Sequence, residues 1–216
     1  MINAVAAELF DLEHTVAKEF LGKCENLYEI IPQIKDCCKE IAKKLGDEYI
    51  EFTPDVFVAR DAVISDKATV IGPAIIGRKT EVRPGAYIRG AVIIGDGAVI
   101  GNSTEIKNAI VFDGVQLPHY NYVGDSILGY RAHLGAGAVI SNVRLDRKNI
   151  TVKNGEKKIE TGLKKMGALI GDLCEIGCNS VICPGSILGK GTMIYPLSTV
   201  NGVTNFNWLN EGEPNK

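Results

Sequence analysis

ATVIGPAIIGRKTEVRPGAYIRGAVIIGDGAVIGNSTEI, residues 68–106, repeats itself every six residues. An aliphatic residue stands at Val70, Ile76, Val82, Ile88, Ile94, Ile100 and Ile106. A small residue follows four positions after most of them, as at Ala74, Thr80, Ala86, Ala98 and Thr104. A period of six is neither the 3.6 of a helix nor the alternation of a two-sided strand. It is the period of a solenoid in which each hexad supplies one short flat strand and a tight corner. The aliphatic side chain points into the coil and the small residue fits the crowded interior. Glycine next to the aliphatic residue, as at Gly77, Gly95 and Gly101, tolerates the corner's backbone angles.

The phase reaches back to Val58 and Ile64 and forward to Phe112. It returns at Leu128, Leu134 and Ile140, and again at Ile170, Ile176, Ile182, Leu188, Ile194 and Val200. Two stretches depart from it. The first, 113–127, contains LPHYNYVGDS and with it His119, one of three histidines. The second, 143–168, contains ITVKNGEKKI, which reads as a hairpin with Asn154-Gly155 in a type I′ turn. That hairpin is rich in lysine. A smooth prism has no pocket of its own, so extruded loops or clefts between prisms must supply one. The first departure is therefore expected to be an extruded site loop, with Tyr120, Asn121, Tyr122, Asp125 and Ser126 around His119. Asp125 is the candidate to orient the imidazole. The basic hairpin is a place for an anionic ligand, or else a solvated face.

Around the repeat the expected layout is a helical segment over 1–50, a β-helix over 51–205 and a tail over 206–216. In the first part, Val16 and Phe20, then Ile30, Ile34, Cys37 or Cys38, Ile41 and Leu45 fall at helical spacing. Gly22 and Gly46 read as stops and Pro32 as a first-turn residue of the second of two helices, which would cap the prism. The net charge of −2 offers no basic field for nucleic acid. No apolar run is long enough for a membrane span, and the acidic N-terminus is no signal peptide, so a cytoplasmic protein is expected. The six cysteines make no C-x-x-C pair and read as reduced, small, buried side chains, Cys174 in a small-residue slot.

The hexads resemble those of the hexapeptide-repeat proteins. That resemblance implies an all-β fold, a left-handed parallel β-helix of about six three-hexad coils, associated as a homotrimer. A narrower likeness lies in H-x-x-Y-x-G-D at His119, Tyr122, Gly124 and Asp125, followed by LGAGAVISN ending at Asn142. With RPGA at Arg83–Ala86 and GNSTEIKNA at Gly101–Ala109, it resembles a bifunctional family. Its members are glucosamine-1-phosphate acetyltransferase/N-acetylglucosamine-1-phosphate uridylyltransferases, and the likeness is to their acetyltransferase domain. The stretch from ETGLKKMGALIGD to ICPGSILGKGTMIYP resembles the archaeal and thermophilic sugar-1-phosphate nucleotidylyltransferase branch.

The resemblance implies acetyl-CoA as co-substrate, no required metal, and an amino-sugar 1-phosphate as acceptor. A histidine near its ordinary pKa of ~6.5 suits removal of the amine's proton at neutral pH, and His119 is the expected base. Tyr122 and Asn142 would position the sugar, and Arg83, Lys107 and Lys148 would hold its phosphate. His133 stands where the family has a site asparagine, and Val143 where it has a tyrosine. Ala136, Cys178 and Tyr195 would line the pantetheine arm. No glycine-rich nucleotidylyltransferase loop is present in this chain, so that chemistry is not expected of it. Two rivals stand beside this reading. A carbonic anhydrase of similar architecture needs three zinc histidines on adjacent coils, against His119, His133 and a remote His14. A non-catalytic trimeric platform serving a separate nucleotidylyltransferase is the other.

Overall fold

The computed structural model of the protein describes residues 4–204, so the tail expected at 206–216 lies outside the described residues. Short strands stack in parallel along three faces. The first face holds eight of them: Val56–Ala59, Ala74–Ile76, Val92–Ile94, the ends of Glu105–Val111 and Tyr122–Leu128, then Ala168–Ile170, Ser186–Leu188 and Val203–Thr204. The second face runs from Val63–Ile64 through Glu81–Val82, Val99–Asn102, Gln116–His119, His133–Leu134 and Glu175–Ile176 to Met193–Ile194. The third begins with Thr69–Ile71 and Tyr87–Arg89 and takes in the starts of the two long strands. It ends with Val139–Ile140, Val181–Ile182 and Thr199–Val200. This is the expected left-handed parallel β-helix, in about eight turns rather than six.

The first departure from the hexad is not an extruded loop. Ala74 pairs with Val92 eighteen residues on, but Val92 pairs with Ala109, and Ala109 with Ser126, at seventeen. The lost residue is at one corner. Gly90 and Ala91 both have positive φ there, whereas the next two coils turn on Asn108 alone and Asp125 alone, at φ 46° and 50°. Asn and Asp enter this left-handed region at low cost, so a one-residue corner can be built from them. Leu117 then pairs with Ile100 and Val123 with Ile106, and both are fully buried. They are the hexad positions that seemed to be missing from 113–127. Phe112 is out of phase: Val111 is the partner of Ile94, and Phe112 is buried against Phe10 with ring centroids 4.9 Å apart.

The second departure is a true insertion, since Leu128 pairs with Ile170 forty-two residues on. It leaves the coil after Asn142 and returns at Met166, whose N–H donates to the Asn142 carbonyl at 3.1 Å. Thr151–Asn154 and Lys157–Glu160 pair antiparallel around Gly155-Glu156, one residue later than expected. Glycine with positive φ at the first turn position is the type II′ pattern. Ile150 and Val152 of the insertion are buried, with Ile150 packed against Gly185.

The first face is covered. Its outward column, Ile75, Ile93, Ile110, Ile127, Leu169 and Ile187, is at most 1% exposed. The N-terminal segment packs over the upper coils and the hairpin over the lower ones. Burying each such side chain stabilises by about 1.5–3 kcal/mol before entropy is counted. The segment is more broken than two helices. Short helices Ala6–Leu9 and Lys18–Leu21 alternate with 3-10 turns Leu12–His14 and Leu27–Gln33, and Ile34–Ala42 is the longest helix among the described residues. Gly22 ends Lys18–Leu21 as expected, but Pro32 lies in the preceding 3-10 turn, and the last helix stops before Gly46. Ala17 and Leu21 are buried while Val16 is exposed, so the apolar stripe is shifted by one position. Main-chain bonds from Asp113 N–H to the His14 carbonyl and from Asp172 N–H to the Leu9 carbonyl tie this cap to two corners of one edge, with Tyr130 in the coil between them.

The cysteines are free. Cys174 does take a small-residue slot: its Sγ lies 3.1 Å from the Gly189 carbonyl, as Thr80 Oγ1 lies 2.7 Å from that of Gly95. Burial pushes its thiol up to about 12. Cys178, by contrast, is exposed and Cys183 half-buried, so the expectation of uniformly buried thiols fails there.

Candidate functional site

Apart from Lys148, the residues singled out from sequence fall on the second face or on the two corners of the third. At the corner shared with the second face, His119, Ala136 and Cys178 stack in successive coils. The ladder is carried by Gly137 N–H to the His119 carbonyl (3.1 Å), Asn179 N–H to that of Ala136 (2.9 Å) and Leu197 N–H to that of Cys178 (2.9 Å). Buried Asn121 fixes this corner, donating to the carbonyls of Gly135 (2.8 Å) and Ala138 (3.2 Å) and accepting from His119 N–H. His119 is exposed at its strand end, and its ring has no polar partner among the described residues.

Beside this stack, Gly135, Gly177, Cys178, Met193, Tyr195 and Pro196 line an apolar slot of about 310 Å³. Glycine is required at its floor, because a Cβ at Gly177 would strike the backbone of Pro196 in the next coil. His133 and Glu175 stand at the slot's edge and also line a neighbouring cavity of about 570 Å³ with Gln116, Pro118 and Arg131. His133 Nδ1 donates to Glu175 Oε2 at 2.8 Å, since a carboxylate can only accept, and Nε2 is the ring nitrogen left for other partners. Arg83 belongs to the same face, two coils above Pro118, and pairs with Glu81 at 3.0 Å.

The other corner, between the third and first faces, holds Lys107, Tyr122 and Asn142. Lys107 Nζ lies 3.2 Å from Asp125 Oδ2, which also accepts from Asn142 Nδ2. Asn108 Nδ2 donates to Asp125 Oδ1 at 2.8 Å and to the Ile31 carbonyl at 3.0 Å, tying the cluster to the cap. Tyr122 bonds Asn142. Burial pushes its phenol up, and the carboxylates of Glu105 and Asp125 act the same way. Gly124 makes room for this contact: a Cβ there would lie 2.7 Å from Tyr122 Oη and 2.8 Å from Asn142 Nδ2. In the next strand up, Arg89 and Glu105 form an ion pair at 2.5 Å.

Two expectations are corrected. Asp125 does not orient His119; its carboxylate serves Lys107, Asn108 and Asn142 at the opposite corner. Lys148 joins neither corner but lines a groove at the hairpin with Lys153, Lys158 and Lys164. Within one chain, moreover, His119 and Arg83 are not brought together with Lys107, Tyr122 and Asn142. Glu175 was missed in the sequence, because the insertion places it forty-two residues from the His133 it pairs with.

Hexads folded into parallel coils, with chemistry confined to the corners, define a hexapeptide-repeat β-helix protein. Within that class, the chain is similar to the GMPPB-like C-terminal domain of GlmU-type bifunctional proteins. Residues 70–161 match the family model described as the GMPPB C-terminal domain. A bifunctional sugar-1-phosphate nucleotidylyltransferase/acetyltransferase of Sulfurisphaera tokodaii is 35% identical over 155 residues, covering 72% of this chain and 39% of that protein. A bifunctional protein GlmU of Methanococcus maripaludis is 35% identical over 158 residues, covering 72% and 38%. The chain thus spans about two fifths of the length of these relatives. Among solved structures, a hexapeptide transferase family protein from Anaplasma phagocytophilum is 21% identical with a TM-score of 0.40, over 68% of this chain and 75% of that one.

Proposed function

We propose that this chain transfers an acetyl group from acetyl-CoA to the amine of an amino-sugar 1-phosphate. Glucosamine 1-phosphate, on the way to UDP-N-acetylglucosamine or another nucleotide sugar, is the first candidate. The observation that carries the reading is the stack of His119 over Ala136 and Cys178 beside the apolar slot. A pantetheine arm laid in that slot would bring its thioester toward an unengaged imidazole. His119 takes the proton as the amine nitrogen attacks the carbonyl carbon; the C–N bond forms, the C–S bond breaks, and the thiolate leaves. Corner N–H groups are the donors available to the oxyanion. Arg83 and Lys107 hold the phosphate, while His133, Tyr122 and Asn142 position the sugar. The two corners meet between neighbouring prisms of a homotrimer, one edge from each copy. The names of the Sulfurisphaera and Methanococcus relatives support this chemistry.

One observation favours a second reading, a non-catalytic sugar-phosphate-binding platform: His133 and Val143 stand where the resembled family has a site asparagine and a tyrosine. Thiol release from acetyl-CoA with a panel of amino-sugar 1-phosphates separates the two. Turnover that falls ~10²–10⁴-fold in His119→Ala, with acceptor KM little changed, supports the enzyme. A folded assembly that turns over no acceptor supports the platform.

A further inference from the structure

The inserted hairpin carries a site that belongs to neither corner. Its strands, together with the loop before them, line a groove of about 610 Å³ that includes Lys148, Lys153, Lys158, Lys164, Arg144 and Glu160. Arg144 is satisfied by Asp146 in a two-pronged pair at 2.9 and 2.7 Å. Among the described residues, none of the four lysines forms an ion pair. Four ammonium groups against the Glu160 carboxylate leave three positive charges in one groove, on a chain whose net charge is −2.

The placement of two of these lysines is unfavourable for the hairpin itself. Lys153 and Lys158 are direct cross-strand partners, and like charges opposite one another in an antiparallel pair destabilise it. The strands cannot slip to avoid this. Val152 is buried against the coils, the Lys153 carbonyl packs on Gly202, and Thr151 Oγ1 donates to Glu160 Oε1 at 3.1 Å on the next rung but one. A local conflict held in place by packing marks a site whose missing charge comes from a ligand.

We propose that this groove binds a pyrophosphate-class anion, two linked phosphates whose charge of about −3 matches the surplus, through ammonium–oxygen bonds from Lys148, Lys153, Lys158 and Lys164. Among the described residues no aromatic side chain lines the groove, and the recognition proposed is by charge. Free pyrophosphate and a nucleoside diphosphate present this charge near neutral pH, and the doubly esterified diphosphate of a coenzyme presents the same linked oxygens with a charge of about −2.

Calorimetric titration of the full chain with sodium pyrophosphate at 50 and 200 mM NaCl is the test. Saturable binding is expected, weaker at the higher salt, and weakened at least tenfold in Lys153→Gln/Lys158→Gln. That variant should melt at or above the parent temperature without ligand, because the opposed charges are gone. Lys158→Glu, which pairs an opposite charge with Lys153, should likewise fold and lose binding. His119→Ala should bind as the parent does, which separates this groove from the acyl-transfer reading. Parallel titrations with coenzyme A and with UDP identify which source binds best. Absence of saturable pyrophosphate binding, or binding unchanged in both lysine variants, would overturn the proposal.

Discussion

Gly124 lies where a side chain would break the polar cluster at the corner between the third and first faces. A Cβ there would intrude on Tyr122 Oη and Asn142 Nδ2, so Gly124→Ala should cost about 1–3 kcal/mol in unfolding free energy and reduce turnover. Denaturant melts and the thiol-release assay read the two effects separately. Asp113 carries a pH effect of definite sign. Burial raises its carboxyl above the ordinary value, outweighing the Asp96 N–H and the His14 ring that act to lower it. The folded state therefore binds more protons than the unfolded one between the ordinary and the raised pKa. Stability contributed by Asp113 is present below that window and lost as pH rises through it. Asp113→Asn should accordingly shift the melting temperature more favourably at pH 7 than near pH 4; an equal shift at both would refute the assignment. At this scale short motifs singled out Lys107, Tyr122 and Asn142, and these three do share one cluster. Their partner Asp125 was assigned to His119, since chain proximity says nothing about which corner each side chain faces.

At the scale of elements, the hexad was legible and its interruptions were only half so. The hairpin was visible because Asn-Gly chemistry is local. The one-residue shortening at Asn108 and Asp125 was not, because a missing corner residue looks the same in sequence as an extruded loop. A further signal was present and unread: every third outward position, from Phe57 and Ile75 through Ile187 to Val203, is apolar, whereas the other two faces mix Glu, Gln, His, Thr and Tyr among theirs. That column says which face is covered. Ile93→Ala, under the helix Ile34–Ala42, should cost about 2–5 kcal/mol. Val63→Ala, at 65% exposure on the second face, should stay within about 0.5 kcal/mol. Equal costs in chemical denaturation would mean that the cap does not seal the first face.

For the whole molecule, two bare faces and a pair of incomplete corners make association part of the functional argument. The second and third faces keep Val63, Ile71, Tyr87 and Val181 exposed, and the candidate site residues are divided between the edges of the third. If acyl transfer needs the His119 corner of one prism and the Asn142 corner of its neighbour, two differently disabled chains can rescue each other. Take His119→Ala and Asn142→Ala, each inactive alone, co-expressed at equal dose with different tags and purified as mixed assemblies. Random mixing leaves each site with a one-in-four chance of drawing both intact edges, so about one quarter of the parent activity should return. Sites built within a single chain allow no such recovery, because every chain then carries one defect. Mixed trimers that form by mass measurement yet stay at background would place the whole reaction on one prism, and would require Arg83 and Lys107 to reach a common substrate across the third face.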